Sequence, residues 1–219
     1  MMISEKLRKD AGHIWEKIFE HPFVVELYRG TLPMEKFRLY VLQDYNYLVS
    51  AIKNFSIICS RADSADVVKE IADIIYLEAT SEFKGYEELL NKLGYKIEDA
   101  MNVDALPMNV SYRSFLLATS SLRPYQESIT SVLSCFWSYS EIAKHHRDKL
   151  SKNSNGIYVE WASVFLSEDY LNLVDRLRSL VDTFCDDYPY KKLRDIFITA
   201  SRYEYMYWDS AYKMEGWPV

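Results

Sequence analysis

Chain breakers are scarce here: 219 residues contain only six Gly and six Pro. Folds made of many short strands need a turn residue every few positions. Long helices are therefore the architecture this sequence permits, and apolar residues recurring three and four apart support that reading. The spacing predicts helices over 5–19, 23–28, 33–62, 64–93, 111–120, 124–152, 157–165, 168–186 and 190–214. Gly30 and Gly94 are expected to end two of them, Ser64 or Ala65 to open another, and Thr31 to cap the third with Pro33 just inside. No repeat, low-complexity tract or long linker divides the chain, so residues 1–219 are expected to form one all-α domain.

Charge and cysteine usage narrow the partners. A formal net charge of −6 with scattered Lys and Arg leaves no footprint for nucleic acid or an anionic membrane. No run approaches the roughly 20 apolar residues that span a bilayer. Residues 1–12 carry Glu5, Lys6, Arg8, Lys9 and Asp10 where an export signal needs an unbroken apolar segment. Cys59, Cys135 and Cys185 are sparse and unpaired in spacing, which reads as reduced thiols and a cytoplasmic location.

Three side chains could carry chemistry. Asp44 falls on a stripe of Phe37, Tyr40, Val41, Tyr47, Leu48 and Ala51, where a carboxylate loses solvation unless something donates to it. Glu204 shares a face with Tyr207 and Trp208, surroundings that raise a carboxyl pKa towards neutrality. Cys135 shares a face with Tyr139. Each has a bland reading: an inter-helix Asp, a buried structural Glu, a small core thiol. A nucleophilic Cys135 needs a base, and His146 stands about 16 Å along the same helix, too far to be one. His145, His146, Arg147 and Lys149 read as a solvated helix end. Glu141-x-x-x-His145 is a lone near-miss of the paired Glu-x-x-His motif of di-iron bundles, and no Gly-rich phosphate loop is present. Neither a metal nor a cofactor is expected.

The ordered series His21-Pro22-Phe23-Val24, Gly30-Thr31-Leu32-Pro33, Tyr40-Val41-Leu42-Gln43-Asp44 and Tyr47-Leu48 continues through Ser111-Tyr112, Cys135-Phe136-Trp137-Ser138-Tyr139 and Glu141. It ends with Tyr158, Glu160-Trp161, Tyr203-Glu204-Tyr205, Trp208, Ala211-Tyr212 and Gly216-Trp217. Over nearly its whole length the chain thus resembles the TenA/thiaminase II family. The resemblance implies a helical bundle of the haem-oxygenase-like type, assembled as a homotetramer, with no metal or haem in its chemistry. The high aromatic share, 15%, is compatible with subunit interfaces.

Cys135 implies the cysteine-bearing branch, which hydrolyses aminopyrimidines such as 4-amino-5-aminomethyl-2-methylpyrimidine, and in many members thiamin, to hydroxymethylpyrimidine for thiamin salvage. By position, the resemblance makes Cys135 the nucleophile that adds to the ring and Glu204 the residue exchanging a proton with a ring nitrogen. Water then replaces the enzyme sulfur. Asp44 would accept from the exocyclic amino group, Tyr47 and Tyr139 would form aromatic wall, and Tyr112 would position the site. One departure stands out: where many members carry a Tyr four residues after the Trp matched by Trp161, this chain has Phe165. Tyr158 is a candidate to supply the missing hydroxyl. Phe165 also keeps open an alternative, a pyrimidine-binding protein without turnover.

Overall fold

The computed structural model describes residues 1–219 and consists of helices and connections. The chain opens with α1 (Ile3–Asp10) and α2 (Gly12–Phe19), then α3 (Pro22–Arg29) and the long α4 (Met34–Ser60). α5 (Ala65–Leu77) runs into a π-helical turn over Glu78–Glu82 and out into α6 (Phe83–Lys92). Short α7 (Ile97–Met101) precedes α8 (Pro107–Leu122) and α9 (Tyr125–His145). The remainder is α10 (Arg147–Leu150), α11 (Gly156–Val164), α12 (Glu168–Phe184) and α13 (Tyr190–Lys213). No helix is long and apolar enough to cross a membrane.

α9 is the axis of the bundle, with α13, α12, α8, α4 and α2 packed around it. It is buried on nearly every side, although its sequence is rich in serine. The serines solve the polar problem locally: Ser128, Ser131, Ser138 and Ser140 return their hydroxyls to carbonyls three or four residues back. Small side chains also let neighbouring helices approach closely. Ser134 meets Ser201 of α13 at 2.9 Å, and Ser201 accepts from Trp15 Nε1 of α2 at 3.0 Å. A contiguous core of aromatic and aliphatic side chains fills the remaining space, with Trp15, Phe23, Phe37, Tyr40 and Phe197 fully enclosed.

Local signals explain most boundaries. His21 caps α3, its Nδ1 accepting from Phe23 N at 3.2 Å, and Pro22 occupies the first turn. Gly30 ends that helix at φ 81°. Ser64 accepts from Val67 N and opens α5. Other expectations need correction. Thr31 does not cap α4; Pro33 takes that position, and the Thr31 hydroxyl turns back to Glu26 O. The first helix divides at Ala11, and the segment expected over 124–152 divides at His146. α8 starts four residues earlier than residue 111 because Pro107 sits well in a first turn. α7 is too short for a periodic signal. The unbroken helix expected over 64–93 is instead α5, the π turn and α6.

Candidate active site

The stripe on α4 shows where the bundle is hollow. Phe37, Tyr40, Val41, Leu48 and Ala51 are buried, whereas Asp44 and Tyr47 keep part of their surface open. They open onto a cavity of about 70 Å³ also lined by Cys135 and Tyr139 of α9. Trp161 of α11, Phe165 just after it and Tyr170 of α12 complete the aromatic wall. An adjoining cavity of about 260 Å³ shares Asp44, Trp161 and Phe165.

Tyr112 of α8 and Glu204 of α13 lie one layer below, both almost completely buried. The Tyr112 hydroxyl donates to Glu204 Oε1. The Cys135 thiol faces both the Glu204 carboxylate and the Tyr47 hydroxyl. The Tyr47 ring packs on Tyr112, with centroids 5.6 Å apart. The four groups thus meet in one cluster contributed by four helices. Tyr139 is tied to Tyr40, hydroxyl to hydroxyl, at 2.9 Å. All six residues singled out from the sequence therefore gather at one place, four lining the cavity and two beneath it.

Electrostatics follow from this enclosure. Burial pushes the Glu204 carboxyl up to about 7, against the opposing hydrogen bonds from Tyr112 and Cys135. Burial, with Glu82 and Glu204 nearby, lifts Asp44 to about 8. Burial and the Glu204 charge hold the Cys135 thiol well above its ordinary value. Cys135 is consequently a thiol at neutral pH, and an ionised Glu204 beside it can accept its proton.

Two residues weighed on sequence grounds lie elsewhere. The Tyr158 hydroxyl is buried against Leu32 O at 2.8 Å and does not line the cavity, so it does not replace the hydroxyl missing at Phe165. Phe165 packs against Tyr139, Trp161 and Tyr170, with ring centroids 4.8–5.0 Å apart. His146 is not part of a solvated helix end: it is buried, and its Nε2 meets Phe19 O at 2.8 Å. Burial pushes His146 down to about 4. Near-miss partners Glu141 and His145 are engaged separately, by Lys144 and by stacking on Phe19.

Sequence reasoning missed Tyr170, Glu78 and Glu82 as cavity residues. Tyr170 lies on α12, whose place against α9 no local pattern gives. Its hydroxyl is held by Phe136 O at 3.0 Å. Glu78 and Glu82 are spaced like solvated charges on an ordinary helix face, and nothing local announces the π turn that carries them.

Fold and site together define an all-α protein with a thiol–carboxylate cluster beneath an aromatic cavity. The chain belongs to the TENA/THI-4/PQQC family, which matches residues 8–214. It is 31% identical over 216 residues to an aminopyrimidine aminohydrolase from Helicobacter pylori, covering 97% of this chain and 100% of that one. Among solved structures, a TenA homologue from P. horikoshii OT3 superposes with a TM-score of 0.93 at 46% identity, covering 97% and 99% of the two chains. A Shewanella denitrificans domain of unknown function with a haem-oxygenase-like fold aligns with a TM-score of 0.76 at 14% identity, covering 96% and 92%. The fold is thus haem-oxygenase-like.

Proposed function

We propose that this protein is an aminopyrimidine aminohydrolase that turns 4-amino-5-aminomethyl-2-methylpyrimidine into hydroxymethylpyrimidine for thiamin salvage, with thiamin as a second substrate. The observation that carries this reading is the meeting of the Cys135 thiol with the Glu204 carboxylate under a cavity walled by aromatic rings. A flat heterocycle suits such walls, and Asp44 on the rim offers an acceptor for its exocyclic amino group. The kinship with the Helicobacter pylori enzyme supports the same substrate class.

In this mechanism Glu204 takes the Cys135 proton as sulfur bonds to a ring carbon, and passes that proton to a ring nitrogen. The ring electrons then expel the substituent from the methylene carbon, and the C–N bonding pair leaves with the amine. Water adds to that carbon and gives up a proton. The ring recovers its conjugation as the C–S bond breaks and the sulfur leaves reprotonated. Tyr112 holds Glu204 in place and Tyr47 orients the thiol. Residues 1–219 act in this reading as one domain, in the cytoplasm, within a homotetramer.

Incubating the protein with each pyrimidine and separating the products tests the proposal. Hydroxymethylpyrimidine and ammonia should appear from the aminomethyl compound. Binding of that compound with no product would replace the hydrolase by a pyrimidine-binding protein, for which Phe165 is the structural hint.

A further inference from the structure

The cavity has an acidic side that the reaction above does not use. Glu78 and Glu82, at the two ends of the π turn, line the same cavity as Asp44 and Cys135. Glu78 is only 5% exposed, yet no side chain or backbone group of the protein donates a hydrogen bond to it. Burial, with Glu82 and Asp44 nearby, pushes the Glu78 carboxyl well above its ordinary range, and burial raises Glu82 too, so this pair gives up its protons readily only when a cation binds. π turns recur at functional sites because the extra residue in the turn redirects side chains.

Behind this pair lies a cleft of about 890 Å³ between α5 and α12, lined by both glutamates and by Glu70, Asp169 and Asp175. Arg176 is the one cationic side chain in its lining, and it is already held by Glu70 at 2.9 Å and Asp73 at 2.8 Å. Asp175 is paired with Arg178 at 3.1 Å, so Asp169, Glu78 and Glu82 are the lining carboxyl groups without an ion-pair partner. Glu82 lines this cleft, the cavity beside the thiol and the adjoining cavity that shares Asp44. No cluster of three carboxylate, imidazole or thiol groups is arranged to hold a metal ion. The chemistry that fits is an organic ammonium, a compact cation with several N–H donors for two carboxylates.

We propose that Glu78 and Glu82 form a subsite for the cationic substituent of the substrate, selecting pyrimidines whose methylene carbon bears an ammonium group. This rests on the aminopyrimidine reading of the site. The subsite makes and breaks no covalent bond. It binds the ammonium arm while Asp44 and the aromatic wall hold the ring, and the acidic cleft is the path by which the arm arrives and the amine departs.

Glu78→Gln and Glu82→Gln test it, each keeping shape while removing the carboxyl that would ionise against a bound cation. Calorimetry at pH 7 should compare cationic 4-amino-5-aminomethyl-2-methylpyrimidine with neutral hydroxymethylpyrimidine on wild type and on each variant. Each variant should weaken the aminomethyl compound about tenfold or more, one charge-assisted hydrogen bond's worth, and change the hydroxymethyl compound less than about twofold. Equal losses for both compounds, or no loss for either, overturn the subsite even if wild type hydrolyses its substrate. Selective loss without any wild-type turnover keeps the subsite and removes the hydrolase.

Discussion

The Tyr112 hydroxyl donates to Glu204 Oε1, joining α8 to α13 directly beneath the cavity. That bond opposes the burial that raises the Glu204 carboxyl to about 7. In the proposed reaction Glu204 must be ionised to take the thiol proton, so the rate should rise through about pH 7. Tyr112→Phe removes a donor to a charged group, worth about 1.5–3 kcal/mol, and should move the acid limb of the kcat/KM profile up by about one to two pH units. An unmoved limb in the variant would detach Glu204 from that ionisation.

Cys135→Ser should lower turnover of the aminomethyl pyrimidine at least about 10³-fold while leaving its Kd within a few fold, because the hydroxyl fills the same space but is a far poorer nucleophile. Glu204→Gln should cost kcat about 10²–10⁴-fold. Stopped-flow turnover paired with a binding titration separates the two quantities. Wild-type rates in Cys135→Ser would end the covalent scheme.

Asp44 carries a stability signature of its own. Its carboxyl is raised to about 8 from an ordinary 3.8, so the folded state holds a proton that the unfolded chain releases. Stability from this group is fully present below about pH 4, falls as pH rises between about 4 and 8, and is gone above. Asp44→Asn should therefore be more stable than wild type at pH 9, by on the order of a few kcal/mol, with the difference vanishing towards pH 4. The same variant should weaken aminopyrimidine binding most above about pH 8, where wild-type Asp44 is an ionised acceptor and the amide is not.

Phe165→Tyr would restore the hydroxyl that many members of the family carry. Phe165 lies between Tyr139 and Tyr170 on the cavity wall, so the added oxygen should enter the cavity rather than the core. We expect a change of about tenfold or less in kcat/KM, with melting temperature nearly unchanged. A loss of several degrees would show that the position is packed too tightly to carry the hydroxyl.

Gly30 tests the frame that carries α4. Its φ of 81° favours glycine, and a Cβ there would collide with the Asn153 side chain. Asn153 Nδ2 donates to Leu27 O at 2.9 Å and Tyr28 O at 3.2 Å, tying the end of α3 to the loop before α11. Gly30→Ala should cost about 2–3 kcal/mol, a fall of roughly 4–12 °C in Tm for a chain of this size. An unchanged melting curve would mean that Asn153 moves aside freely.

Much of this protein was legible in its residues. Scarce breakers and helical spacing predict an all-α bundle, and Gly30 and Ser64 mark helix ends, because backbone preference and capping act within a few residues. Asp44 and Glu204 stood out for the same local reason, a carboxylate on an aromatic helix face. What tertiary structure alone decided is which of these groups meet. Cys135 obtains its carboxylate from a helix 69 positions later, the difference between 204 and 135. The π turn at Glu78–Glu82, the near-complete burial of α9 and the arrival of Tyr170 at the cavity arise from how helices pack on one another. Packing is set by side-chain shape across distant segments, and a periodic sequence does not specify its partner.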